Sequence, residues 1–307
     1  MRTISLLLCL VLSGIANAQA PGTGIFQHSA DIGNPAIKGS ATYNASDQSY
    51  SLKGSGYNIW FERDEFRYLF NQIEGDFILT ANFRFTGEGG DPHRKTGWMI
   101  RASEDEGSPH ISATLHGDGL TVMQWRDFKE GEMKDPEDEL FAKGSGYEII
   151  QLERAGEVFF MRAAVPGKPF EEIGSYQMAN MPEKVLAGLF ICSHSPEVTE
   201  QATAWNVRID KPVSNDYNAS IDGAVGCRLE TMNVSDGKRM VIHEKQGRFE
   251  APNWMPDGKQ LLFNMDGLMY RIAVTGGEIS RLNTGTVTRN NNDHGISFNG
   301  KLLALSS

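Results

Sequence analysis

The chain has 307 residues, 40% of them hydrophobic, 9% aromatic and 22% charged. That is globular composition with room for about two domains at roughly 150 residues each, and it excludes a disordered or collagen-like chain. Acidic side chains outnumber basic ones by 39 to 29, for a formal net charge of -10. No lysine and arginine stripe occurs, which argues against nucleic acid or an anionic membrane as partner.

The chain opens with Arg2 in a short basic segment, an apolar run over residues 4–12, and the small-residue site Ala16-Asn17-Ala18. This is the pattern of a secretory signal peptide cleaved near Ala18, which places the mature protein in the periplasm or outside the cell. Cys9 follows three leucines and lacks the small residue of a lipobox. No later run approaches the roughly 20 apolar residues of a membrane span. Cys192 and Cys227 remain, and an oxidising compartment would let them pair. Neither sits in a Cys-x-x-Cys or helix-start context, so two separate, mostly buried thiols are expected ahead of a disulfide or a nucleophile.

From about residue 40 to 210 the sequence consists of short β-branched and aromatic runs bounded by Gly, Asp, Asn or Pro. Residues 77–85 alternate most clearly, with Phe77, Leu79, Ala81, Phe83 and Phe85 on one face and Thr80, Asn82 and Arg84 on the other. Further strands are expected over 97–102, 110–116, 120–126, 147–154, 158–163, 185–192 and 202–209. Such a series suits an all-β, two-sheet sandwich. The runs Leu52 to Trp60, Ile73 to Phe77, Gly97 to Arg101, Leu152 to Gly156, Ala187 to His194 and Ala204 to Val207 resemble the concanavalin A-like jelly roll of exported bacterial proteins. The resemblance covers about residues 40–210 and implies fold more than ligand, since this fold serves sugar binders, glycosidases and spacers alike.

A polar stretch over 212–225 reads as a linker between a sandwich at 19–211 and a different unit at 226–307. There Pro256-Asp257-Gly258-Lys259, followed by an apolar strand, recurs about 42 residues later as Phe298-Asn299-Gly300-Lys301. That spacing lies in the blade period of a β-propeller, and Asp-Gly and Asn-Gly supply the positive φ of a tight hairpin. With a Gly276-Gly277-Glu278 turn between the copies, the segment resembles the TolB-like, WD40-related propeller. Residues 228–234 and 239–244 read as the two outer strands of a blade, and 268–273 and 279–282 as the third and fourth strands of the next. About one and a half blades are expected where closure needs at least four, so the sequence reads as a fragment lacking roughly 150 to 200 residues.

Three acidic runs, 62–65, 104–106 and 135–139, lie in polar, turn-like stretches and are expected to be solvated loop charge. The spaced carboxylates of a jelly-roll glycosidase are absent. On the sandwich, Arg101, His116, Gln124, Arg126 and His194 are the candidates for a concave-face ligand groove. The competing expectation puts Trp98 and Trp205 in the core and Arg101 and His116 on the outer, polar face. In the second unit, Asp293 and His294 precede the innermost strand of a blade, where the loops surround a propeller channel. There His294 is the candidate ligand of a divalent metal acting as Lewis acid on a uronate, against the reading that the pair only bonds neighbouring blade turns. The leading expectation is an exported, non-catalytic binding protein for a glycan or a periplasmic protein. The runner-up is a metal-assisted polysaccharide lyase or hydrolase of oligogalacturonate type at the propeller channel, and a third reading is a scaffold for protein partners.

Overall fold

In the computed structural model, residues 22–223 and 225–307 are described. The expected signal peptide lies outside the described residues. The chain runs through β1 (His28–Ile32), β2 (Ser40–Asn44) and β3 (Ser49–Gly56), then a miniature hairpin of β4 (Ile59–Trp60) and β5 (Arg63–Asp64). It continues as β6 (Phe66–Glu74), β7 (Phe77–Phe85), β8 (Lys95–Arg101), β9 (His110–His116), β10 (Thr121–Arg126) and β11 (Glu139–Phe141). The last strands of this part are β12 (Ile149–Ala155), β13 (Val158–Ala164), β14 (Glu171–Gln177), β15 (Lys184–Cys192) and β16 (Ser195–Asp210).

These strands form two seven-stranded antiparallel sheets. Sheet A has the order β1-β6-β15-β8-β9-β10-β11 and sheet B the order β14-β13-β12-β7-β16-β3-β2. One apolar cluster joins them, with Leu69, Trp98, Ile111, Met123 and Leu189 from sheet A packed against Leu52, Leu79, Phe83, Leu152 and Met161 from sheet B. Because side chains alternate across a strand, each sheet turns one face to this core and one away from it. Each large side chain buried there contributes about 1.5–3 kcal/mol over its exposed state. On sheet B the outer face is wet, and β12 and β13 alternate between buried and partly exposed residues. Sheet A departs from that pattern, because every residue of β8, β9 and β10 is buried.

Trp98 is a core residue as expected. Trp205 is buried but on the other face of sheet B, away from Ala202 and Ala204, with the Arg84 guanidinium 5.4 Å over its ring. The ladder shifts register between Trp205 and Arg208, and Asn206 takes a positive φ of 53° there. Such a bulge re-aims side chains. Asn206 donates to the Asn82 side chain at 3.1 Å and accepts from the Arg239 backbone N–H at 2.7 Å. Both Cys192 and Cys227 are free thiols. Burial pushes the Cys192 thiol up to about 11, which keeps it protonated and inert at neutral pH.

The short helix α1 (Ala219–Asp222) follows, capped by the Asn218 side chain. Beyond it lie the two-stranded sheet β17 (Gly226–Met232) and β18 (Arg239–Gln246), and a four-stranded meander. The meander comprises β19 (Phe249–Trp254), β20 (Gln260–Met265), β21 (Leu268–Ala273) and β22 (Ser280–Arg281). A last pair, β23 (His294–Ile296) and β24 (Leu303–Leu305), completes the series. Leu229, Ile242, Phe249, Leu261, Phe263 and Ile272 share a separate apolar core.

Three turns in this part are chemically equivalent. The side chains of Asp236, Asp257 and Asn299 each accept from the backbone N–H two residues on, at 3.0 Å. The following glycines, Gly237, Gly258 and Gly300, have φ of 70°, 69° and 68°. Asn299 therefore does the work of the aspartate it replaces, since an amide oxygen accepts the same bond. The unit touches the sandwich through reciprocal bonds between the Gln48 amide and the Val241 backbone, at 2.8 and 2.9 Å. Arg208 and Glu230 add an ion pair at 2.7 Å.

Candidate functional site

The outer face of sheet A follows from strand parity and register. Lys95, Gly97, Met99 and Arg101 on β8 lie opposite His116, Thr114, Ser112 and His110 on β9. His110, Ser112 and Thr114 in turn lie opposite Arg126, Gln124 and Val122 on β10. One flank of this face is apolar, with Phe66, Tyr68, Phe70, Met99, Leu186 and Phe190 in a second cluster. The other flank is a polar grid that the core-facing Trp98, Ile111 and Trp125 cannot reach through the sheet.

The β4–β5 hairpin lies across this grid and explains its burial. At one end Lys95 Nζ donates to Asn58 Oδ1 at 2.8 Å and to the Ile59 carbonyl at 3.0 Å. At the other end Arg126 donates to the Phe61 carbonyl from Nη2 at 2.9 Å and from Nε at 3.2 Å. Asp64 then turns down from β5 onto the sheet. It accepts a bidentate pair from Arg126 at 2.7 and 2.8 Å and a further bond from Arg101 at 3.2 Å. All three side chains are within 1% of complete burial. Burial alone would raise the Asp64 carboxyl, but the Arg126 and Arg101 guanidiniums outweigh it and hold the group below the usual carboxylate range.

Asp64 thus corrects the expectation of solvated loop charge for the 62–65 run; Glu65 is buried as well, while Glu62 and Arg63 are exposed. Arg101 and Arg126 lie on the outer face of sheet A. Their donors are taken by Asp64, by the Ser103 and Asp105 carbonyls for Arg101, and by the hairpin carbonyls for Arg126. Both guanidiniums clamp the cover rather than line an open groove.

The remaining polar groups on the face are not satisfied. Both ring nitrogens of His116, Nε2 of His110 and Oε1 of Gln124 are buried without a hydrogen-bond partner in the protein. Arg126 Nη1 lies 3.4 Å from His110 Nδ1. The same Nδ1 lies 3.6 Å from Asp64 Oδ2, so it faces both a donor and an acceptor. Burial pushes His110 down to about 3 and His116 down to about 2, so both rings are neutral at ordinary pH. The Gln124 side chain is close enough to favour a proton on His116 without reaching hydrogen-bond geometry. Its amide instead donates to Glu139 Oε2 at 3.1 Å. Burial raises the Glu139 carboxyl, with Asp135 adding to the rise. Such unpaired buried atoms are rare in folded proteins and call for an explanation, and here four of them share one sheet face.

His194 sits just beyond β15 at a positive φ of 60°, half-buried, with Nδ1 also unpartnered. Its ring lies 5.5 Å from that of exposed His93, which lies 5.9 Å from His116. The structure therefore brings His116 and His194 around His93, with the Gln124 side chain near His116. Sequence reading missed Lys95, His93, Trp60 and Asp64. On the strands already recognised, parity held the signal for one of them, because Lys95 is two residues before Gly97. The expected ligand pair of the second unit lies elsewhere. Asp293 is exposed and its carbonyl accepts from Ser306 N at 3.1 Å; His294 is half-buried on β23 with both ring nitrogens unpartnered. Among the described residues no three His, Cys, Asp or Glu side chains are placed to hold a metal ion. No helix among them is long and apolar enough to cross a membrane.

No protein-family model matches the chain. An uncharacterised protein of Agrobacterium fabrum is 44% identical over 85 residues, which is 27% of this chain and 29% of that protein. The match thus spans less than a third of that relative's length. A functionally unknown protein from Saccharomyces cerevisiae is similar with a TM-score of 0.47 at 14% identity, covering 61% of this chain and 97% of the other. A GH43 protein from Bacillus licheniformis gives 0.43 at 10% identity over 56% and 35% of the two chains. Lectin I-B4 from Griffonia simplicifolia gives 0.37 at 10% identity over 60% and 93%. At such scores the reading of function rests on this chain's own residues.

Proposed function

We propose that the protein is an exported, non-catalytic binding protein whose sandwich recognises a glycan at the outer face of sheet A, around His116 and Gln124. The observation that carries this reading is the set of buried, unpartnered polar atoms on that one face, His110 Nε2, both His116 nitrogens and Gln124 Oε1. They include a proton donor and acceptors, and a sugar hydroxyl serves as both. Leaving such a group unpaired costs about 1–3 kcal/mol, so a ligand that pairs several of them gains affinity without new apolar contact. Trp60 borders the same end, with its ring 5.7 Å from Lys95 Nζ, and supplies an apolar face of the kind a sugar ring packs on. Exposed His93 lies 5.9 Å from buried His116 and 5.5 Å from half-buried His194, ring to ring.

Calorimetry of the exported chain against a panel of neutral and acidic oligosaccharides tests this reading. His116→Ala is expected to weaken binding at least tenfold and Gln124→Ala severalfold. Arg84→Ala, on the exposed outer face of sheet B, is expected to leave it unchanged. Equal affinity in all three variants would sink the assignment.

For residues 226–307, the reading as consecutive propeller blades draws on the three equivalent turns and the meander order β19-β20-β21-β22.

A further inference from the structure

Resting on the glycan reading, we infer that the sugar bound beside His116 carries an anionic group, a carboxylate or a sulfate ester, and that Lys95 Nζ receives it within a cluster of His93, His116 and His194. Lys95 is the starting point. It is 3% exposed, and its two hydrogen-bond acceptors, Asn58 Oδ1 and the Ile59 carbonyl, are both neutral. An ammonium has three protons to give, and no carboxylate stands within ion-pair distance of this one among the described residues. Taking an ammonium out of water without a counter-charge costs several kcal/mol. The strain registers as a Lys95 pushed down by burial to about 8.

The charges around it do not supply the missing partner. On β15, Cys192 lies directly opposite Lys95 and is held protonated by burial. On the hairpin, Asp64 is committed to two guanidiniums. On β11, three strands away, Glu139 accepts from Gln124. On β9, His116 faces Lys95 in register and adds a neutral ring with both nitrogens unpartnered. The loop rings of His93 and His194 complete the cluster; Asp91 acts on His194 and accepts from the His93 backbone N–H, but forms no ion pair with Lys95. An anion seated there would be met by charge-assisted bonds in a low-dielectric site, where they are strongest. It would enter from the exposed His93 side.

The test uses the full exported chain and four probes: a galacturonate tetrasaccharide, a sulfated galactan tetrasaccharide, a neutral xylotetraose and inorganic sulfate. At least one acidic tetrasaccharide should bind tenfold or more tightly than xylotetraose, with an affinity that falls as salt rises. The better of the two identifies carboxylate or sulfate as the group. Lys95→Met should abolish that preference. Exposed His93→Ala, which spares the core, should reduce the preference about threefold and keeps the test open if Lys95→Met misfolds. Acidic and neutral sugars binding alike, or a preference retained in Lys95→Met and His93→Ala, would overturn the inference while the glycan reading stands. Millimolar sulfate raising the wild-type melting temperature but not that of Lys95→Met, with no sugar bound at all, would support the anion site and sink the glycan reading.

Discussion

Replacing Asp64 with alanine is expected to destabilise the protein by about 3–5 kcal/mol, the loss typical of removing one partner from a buried ion pair. That is a large fraction of the roughly 5–15 kcal/mol that holds a domain together. The reason is geometric. Among the described residues Asp64 alone pairs with two guanidiniums that are otherwise sealed, Arg126 through two bonds and Arg101 through one. Its removal strands two cations beneath the hairpin, where water can reach them only by lifting the β4–β5 cover. Asp64→Asn keeps the shape and one acceptor but removes the charge, so a smaller loss is expected. Urea unfolding monitored by tryptophan fluorescence checks both. A loss under about 1 kcal/mol for Asp64→Ala would mean the cluster is already hydrated and the cover is open.

Acidification is expected to unfold the protein well above the range where ordinary carboxylates titrate. His110 and His116 have folded values of about 3 and about 2, against an ordinary value near 6.5 in the unfolded chain. Between those limits the unfolded chain binds protons that the folded chain refuses. Stability is therefore full above about pH 6.5 and falls as the pH drops, by up to about 1.4 kcal/mol per pH unit for each histidine. The groups facing His110 are Asp64, Arg126 and Arg101, and those facing His116 are Lys95, His93, His194 and Gln124. Asp64, lowered in the fold, loses its share only further down, below about pH 4. Urea midpoints at pH 7.5, 6.0, 5.0 and 4.5 should decline steadily, and His116→Gln should remove about half of the slope. A midpoint flat down to pH 4.5 would mean that these rings are not buried as neutral groups.

The architecture was largely legible in the sequence because alternation survives one buried face. Phe77 to Phe85 reads as a strand from its apolar period alone, and the structure makes those same residues β7. The Asp-Gly and Asn-Gly turns were legible for the same reason, as their backbone demand is local. The site was legible only in part. Arg101, His116, Gln124 and Arg126 were named as candidates for one groove, but strand patterns cannot tell an open face from a covered one. The cover is a hairpin of two-residue strands, too short to show a period, and it is held by single contacts from Lys95, Arg126 and Asp64. Asp64 looked like surface charge because its neighbours Glu62 and Arg63 are surface charge. Its place in the series Asp64, Phe66, Tyr68, Phe70 was the sign that it faces inward.

The most direct measurement of the central claim is the imidazole nitrogen spectrum of the seven histidines, recorded before and after saturation with the tightest-binding oligosaccharide. The ring signals of His116 and His194 should move, since a ligand pairing the buried nitrogens changes their hydrogen bonding directly. His243 and His294, in the second unit, should stay in place. Shifts confined to His294, or none with any oligosaccharide of the panel, would contradict a binding site on the outer face of sheet A.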